Sequence, residues 1–272
     1  MIEWIDVPIL LIAGFLGGIL AGMLGIGGGL VYVVAFNIYL TKLDLSSVDL
    51  VKLLVANSVF AVFFAGLSAS IKQFRQSNFF IKETLITAFP GVVGALSAAL
   101  SIVYLDWYSK QKFTIIFVTL MLFLLYKMVR QSELKEDANV KEHLPFWKYG
   151  LSGFFSGLLS ALSGLGGGVV MIPILSGMQK LRMSKAASIS LGIMPIYTFA
   201  MSVFYFFTNA PLSLQVPYSF GYIIFPMAVP MAVGVVAGAP YGVKIAQKSS
   251  PTTIKWTFVT MIVAAVAKMI LF

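Results

Sequence analysis

The amino-acid sequence predicts an all-α polytopic membrane protein of two inverted-topology repeats. Each repeat is a glycine-broken re-entrant helical hairpin followed by three transmembrane helices. Three observations carry this expectation. The first is composition: of 272 residues, 59% are hydrophobic and only 11% charged, whereas a soluble domain is roughly a quarter charged. The second is a series of unbroken apolar stretches, and the third is an internal repeat.

The unbroken stretches run 53–71, 84–105, 113–129, 186–207, 218–243 and 253–272. Most reach or approach the ~20 residues that cross a bilayer as a helix. They do not alternate polar with apolar, which argues against a barrel. Two further stretches, 7–40 and 148–179, are interrupted by glycine clusters. Glu3 and Asp6 precede the first stretch with no basic region, so no cleaved signal peptide is expected. The absence of cysteine excludes disulfides, thiol catalysis and thiolate metal sites. The net charge of +9 is expected to reside in cytoplasm-facing basic loops, not in a nucleic-acid surface.

Residues 14–31, GFLGGILAGMLGIGGGLV, repeat as 153–170, GFFSGLLSALSGLGGGVV, with nine of eighteen positions identical. Gly25, Gly27, Gly28 and Gly29 fall on Gly164, Gly166, Gly167 and Gly168. Ser58 in VANSV matches Ser190 in SISLG, and Pro90-x3-Gly94 matches Pro230-x3-Gly234. The expected division is an N-terminal repeat 1–131, a cytoplasmic polar linker 132–147 and a C-terminal inverted repeat 148–272. His143 lies in the linker and is expected to be solvated.

The basic residues decide the topology. If each glycine-broken stretch crosses once, the 19 basic residues divide 9 to 10 between the two sides. If each enters and returns to its own side, loops 72–82, 127–148, 180–185 and 244–255 share one face and the split becomes 14 to 5. The second arrangement inverts the second half relative to the first, as in many secondary transporters. Segments 30–40 and 169–179, at about 11 residues or ~16 Å of helix, are too short to span. Their glycine turns should therefore meet inside the membrane.

Consecutive glycines break a helix and accept positive φ. Helices restarting near Leu30 and Val169 would aim unsatisfied N–H groups and positive dipole ends into the centre. Such a site suits an anion without a buried lysine or arginine. Gly14, Gly18 and Gly22 are expected to serve close helix packing. Asn57, Ser58, Ser188 and Ser190 are polar positions in apolar helices, and Ser163 directly precedes the second turn. The candidate binding set is these five with the eight turn glycines. Trp4, Trp107 and Trp147 near span ends should anchor at the interface.

In the twin turns GIGGG (25–29) and GLGGG (164–168), the small-residue helices around Ser58 and Ser190, and the spacer between halves, the sequence resembles the sulfite exporter TauE/SafE family. The resemblance covers nearly the whole chain. It implies a carrier of sulfite, sulfoacetate, related sulfonates or another small organic anion. It also implies a Thr-Ser pair where VANSV (55–59) has Asn57 before Ser58.

An enzyme is not expected: His143 is in the linker, Asp44, Asp49 and Asp106 read as loop residues, and HExxH is absent. An anion channel or uncoupled uniporter of the same fold is the alternative, though no charged ring marks a pore. With no carboxylate evident at membrane depth, export is expected by uniport or weak proton coupling, with the membrane potential supplying ~2.3 kcal/mol per charge per 100 mV. The expected partners are the small anion and the lipid bilayer, with no cofactor, metal or nucleic acid. The chain is expected in the inner (plasma) membrane, and the sequence leaves monomer and homodimer both open.

Overall fold

The computed structural model describes residues 6–25, 27–43, 45–75, 79–130, 143–211 and 217–271. Among the described residues, five helices precede the linker: α1 (Asp6–Leu24), α2 (Gly29–Leu40), α3 (Ser47–Phe74), α4 (Ile81–Tyr104) and α5 (Lys110–Arg130). Five described helices follow it: α6 (Phe146–Ser163), α7 (Gly168–Ile172), α8 (Met183–Phe207), α9 (Phe225–Lys248) and α10 (Pro251–Leu271). A 3-10 turn, Thr41–Leu43, extends α2, and a π-helical turn, Pro173–Met178, extends α7. Most of the linker and Trp4 lie outside the described residues.

Local chemistry explains several boundaries. The Ser46 hydroxyl caps α3 by accepting from the Asp49 amide at 3.1 Å, an N-cap bond typically worth ~1 kcal/mol. Asp49 therefore sits in the first turn of α3, not in a loop. Pro145 precedes α6, and α6 ends on Gly164 in the left-handed region. The apolar stretch 218–243 is not one helix. Its first residues form a hairpin, β1 (Ser219–Phe220) paired with β2 (Ile223–Ile224), turning at Gly221. Apolar composition alone does not distinguish such a short hairpin from the start of a helix.

α1 packs along α9 and α4 along α6, the two most extensive helix pairs, while α3 packs against α8 at the centre. Glycine sets the close approach. A Cβ on Gly18 would lie 2.5 Å from the Val235 carbonyl oxygen, and one on Gly14 or Gly22 would overlap the carbonyls of Met231 or Ala239. Gly234, Gly238 and Gly242 press in return on the Leu11, Phe15 and Ile19 carbonyls. Gly153 and Gly157 of α6 do the same to the Thr87 and Gly91 carbonyls of α4. Lipid offers no hydrophobic drive between helices, so backbone-close packing of this kind is the main cohesive term.

Among the described residues, five helices are long and apolar enough to cross a membrane: those within Asp6–Met23, Ser47–Phe74, Ile81–Tyr104, Lys185–Phe207 and Phe225–Ala246. Ile12 and Leu16 of α1, Leu85 and Phe89 of α4, and Val229 and Val233 of α9 are exposed. Such side chains find their solvent in lipid. Trp107 and Trp147 are exposed near helix ends, as interfacial anchors are. The fold is that of an all-α polytopic membrane protein.

The packing can be tested on one helix pair. Gly22→Ala should lower stability by ~1–3 kcal/mol because its methyl has nowhere to go. Gly150→Ala, whose nearest neighbour would be Pro90 Cγ at 3.7 Å, should change it by no more than ~0.5 kcal/mol. Melting curves of the two detergent-solubilised variants check this, and equal melting points would refute the packing role.

Candidate substrate site at the glycine turns

The two turns have the same backbone. Gly25, Gly27 and Gly28 have φ of +70°, +87° and +65°, and Gly164, Gly166 and Gly167 have +68°, +81° and +62°. A side chain in this left-handed region costs roughly 1–2 kcal/mol per residue. The helices resume at Gly29 and Gly168, one residue before the expected Leu30 and Val169. The hairpin arms are unequal. α1 and α6 run 19 and 18 residues, or ~27–28 Å, whereas α2 has 12 residues, or ~18 Å.

The turns meet. A Cβ on Gly29 would lie 2.6 Å from the Leu165 carbonyl oxygen. One on Gly164 would come within 3.1 Å of Val33 and 3.4 Å of Ser58 Cβ, and one on Gly25 within 3.7 Å of Ile172 and Leu191. Gly27 faces Met194 of α8, and Gly166 faces Val62 of α3. Val62 and Met194 stand four residues beyond Ser58 and Ser190, so each turn rests on the same position of the other half's helix.

All thirteen candidate residues are buried, but they divide by what their polar atoms do. The hydroxyls of Ser58 and Ser190 are buried with no hydrogen-bond partner. An unsatisfied buried polar group costs about 1–3 kcal/mol, so this matched pair is the strongest sign of a ligand position. Ser188 already has a partner. Ser163 donates to the Leu159 carbonyl at 2.6 Å and accepts weakly from the Leu165 amide at 3.4 Å. Asn57 donates to the carbonyls of Leu53 at 2.7 Å and Tyr222 at 3.1 Å, and accepts from the Ile224 amide at 2.9 Å. It ties the hairpin to α3 and has little left for a substrate.

The amides at the two restarts differ. The Gly28 carbonyl accepts from Val31 at 3.0 Å, and the Gly167 carbonyl from Val170 at 2.9 Å and Met171 at 2.8 Å. These bonds leave Gly29 and Leu30, and Val169, ahead of the first helical acceptor. The Gly168 amide, however, bonds the Gly166 carbonyl at 2.6 Å.

Side chains outside the candidate set brace the second turn. Tyr197 donates to the Gly166 carbonyl at 2.6 Å, and Ser156 donates to the Gly167 carbonyl at 3.0 Å. In the first half Gly17 stands where Ser156 does, and the Tyr32 ring fills the space beside Gly17 and Gly28. Only the Gly17–Ser156 mismatch was visible in the repeat. Tyr197 carries no local signal.

Charge enters at the periphery, where none was expected to be buried. Lys52 of α3 is buried and paired with Asp106 in the α4–α5 loop. Lys185, expected in a basic loop, is buried in α8 and bonds Glu83 at 2.7 Å. The His143 ring is exposed, as expected, with Nδ1 at 3.3 Å from the Lys185 ammonium and 3.8 Å from Glu83. Glu83 lies at the start of α4 and Asp106 just beyond its end, so roughly 35 Å of helix separates the two pairs.

Residues 10–269 match the sulfite exporter TauE/SafE family. The chain belongs to that family. It is similar to a Methanocaldococcus jannaschii protein named a "probable membrane transporter protein", with 29% identity over 245 residues, 90% of this chain and 88% of that one. A Haemophilus influenzae protein of the same description shares 26% identity over 266 residues, 96% and 97% of the two chains. No solved structure matches the chain. It is thus a multi-pass membrane transporter of the TauE/SafE family.

In this transporter Asn57→Ala leaves the Tyr222 carbonyl and Ile224 amide unpaired. It should cost ~1–3 kcal/mol for each group that water cannot reach, read as a lowered melting point. An unchanged melting point would mean that the hairpin does not depend on Asn57.

Proposed function

We propose that this TauE/SafE transporter exports a small anion across the inner membrane by alternating access around the two glycine turns. The cargo is sulfite, a sulfonate such as sulfoacetate, or a related organic anion. The observation that carries the reading is the pair of partnerless buried hydroxyls, Ser58 and Ser190, at matched positions of the two helices on which turns of matched backbone rest. The donors gathered there are hydroxyls and amides, and none of the contacts named is a carboxylate, which favours an anion over a cation.

The architecture of the proposal is two inverted-topology repeats, 1–131 and 148–272, joined by a cytoplasmic linker 132–147. The exchange of partners supports it: the first helix of each half packs on the fourth of the other, α1 on α9 and α6 on α4. A pseudo-two-fold axis would generate that exchange. Each hairpin re-enters on its own side, so the turns approach from opposite faces. Burial of both turns supports a carrier with an occluded site over an open channel.

Two measurements test this reading. Ser58→Ala and Ser190→Ala should each weaken sulfite binding ten- to a hundredfold, the ~1.5–3 kcal/mol of a hydrogen bond to a charged group, with little change in melting point. Unchanged affinity with a lowered melting point would remove both serines from the site. For sidedness, single cysteines at Asn209, Met178 and Lys248 exploit the cysteine-free background. An impermeant thiol reagent should label only the first in intact cells, and labelling at Met178 but not Lys248 would sink the re-entrant topology.

A further inference from the structure

A cavity of about 710 Å³ opens at the Asp106 end of the molecule, between α3, α4, α8 and the hairpin. Its wall includes Lys52, Tyr104, Asp106, Phe207, Asn209 and Tyr222. Lys52 is unlike the other wall residues, because its side chain is only 5% exposed while that of its partner Asp106 is 71% exposed. A buried ammonium requires an anionic partner. Here that partner is an exposed loop carboxylate at the cavity wall, with φ of +48°. The arrangement holds a cation inside and its counter-ion outside.

The cavity wall adds a phenol, Tyr222, to the Lys52 ammonium. Burial, with the Asp49 and Asp106 carboxylates nearby, pushes the Tyr222 phenol above its usual range, so it stays neutral and protonated. Behind it, at 6.2 Å between ring centroids, lies Tyr205, whose buried hydroxyl has no partner. The Tyr222 carbonyl and the Ile224 amide are bonded to Asn57, the residue before Ser58. The cavity floor is thus attached to the helix turn that carries the proposed central site.

We propose that Lys52 is a second anion-binding site, at which the transported oxyanion exchanges with Asp106 on its way to or from the turns. The proposal rests on the reading that the cargo is a small oxyanion. Asp106 keeps Lys52 neutralised while the cavity is empty, and it is displaced when a sulfite or sulfonate group takes the ammonium. The exchange replaces one anion by another, so the buried lysine is never left unpaired.

The test uses the full-length protein in detergent, with sulfite as the probe and calorimetric titration as the readout. Asp106→Asn removes the competitor and should raise affinity at this site about tenfold, while Lys52→Gln should lower it at least tenfold. Lys52→Arg, which keeps the charge, should bind within a fewfold of the parent. The same changes placed on a Ser58→Ala, Ser190→Ala background separate the two sites. If the serines prove irrelevant but the Lys52 and Asp106 effects persist, the central reading fails and this one stands. If Asp106→Asn folds and leaves affinity unchanged, the pair is a structural ion pair and the proposal is overturned. Should Lys52→Gln not fold, Asp106→Asn and Lys52→Arg carry the decision by the same criteria.

Discussion

The structure depends on keeping two stretches of non-helical backbone together at its centre. Where Gly29 lies against Leu165, the chain has left its helical hydrogen bonding in both halves. In a bilayer such backbone survives only when protein encloses it. The enclosure accounts for much of what surrounds it. α3 and α8 pack against it, with Val62 and Met194 against the glycines. Tyr197 and Ser156 satisfy the carbonyls of one turn, and Tyr32 fills the space beside the other. The outer helix pairs then close at backbone distance, which Gly14, Gly18, Gly22, Gly153 and Gly157 permit.

Much of this was legible in the residues because glycine has a narrow set of uses. A triple glycine inside an apolar run has few explanations besides a break, and its repetition located both turns. Glycines spaced four apart in α1 read correctly as packing surface. What the sequence hid were relations between distant positions. Lys52 and Asp106 are 54 residues apart, and Lys185 and Glu83 are further still. Counting both lysines as surface charge was the default, since lysine is rarely buried unless paired. The hairpin at 219–224 was hidden for another reason: its strands are as apolar as the helix that follows. Asn57 was legible as a polar residue in a membrane helix. Its role as a clamp could not be inferred before the hairpin was known, because its partners are main-chain groups.

The two ion pairs illustrate how a basic membrane protein tolerates internal charge. An unpaired lysine at mid-membrane is costly, and such residues are rare and partnered. Both buried lysines lie near helix starts, Lys52 in α3 and Lys185 in α8, and each meets a carboxylate at one end of α4. Lys185 also lies 4.6 Å above the Phe80 ring, a contact that favours a desolvated cation. Between these ends, α3 and α8 carry only neutral polar groups toward the turns. Charge is kept at the ends, and hydrogen-bond donors at the centre.

That division suits the proposed transport of an anion better than a central lysine would. A full charge at the turns would hold a sulfite or sulfonate group strongly and slow its release, whereas passage requires binding firm enough to enter and weak enough to leave. It would also need a carboxylate partner whenever the site emptied, adding a second buried charge with its own desolvation cost. The proposed site, two serine hydroxyls with the Gly29, Leu30 and Val169 amides, avoids both difficulties. Without an anion such groups would be merely unsatisfied dipoles, at about 1–3 kcal/mol each rather than the several of a bare ion. With one they would be charge-assisted donors, roughly twice as strong as neutral ones. A proposed site made of such dipoles can be buried at that modest cost, as the Ser58 and Ser190 hydroxyls are.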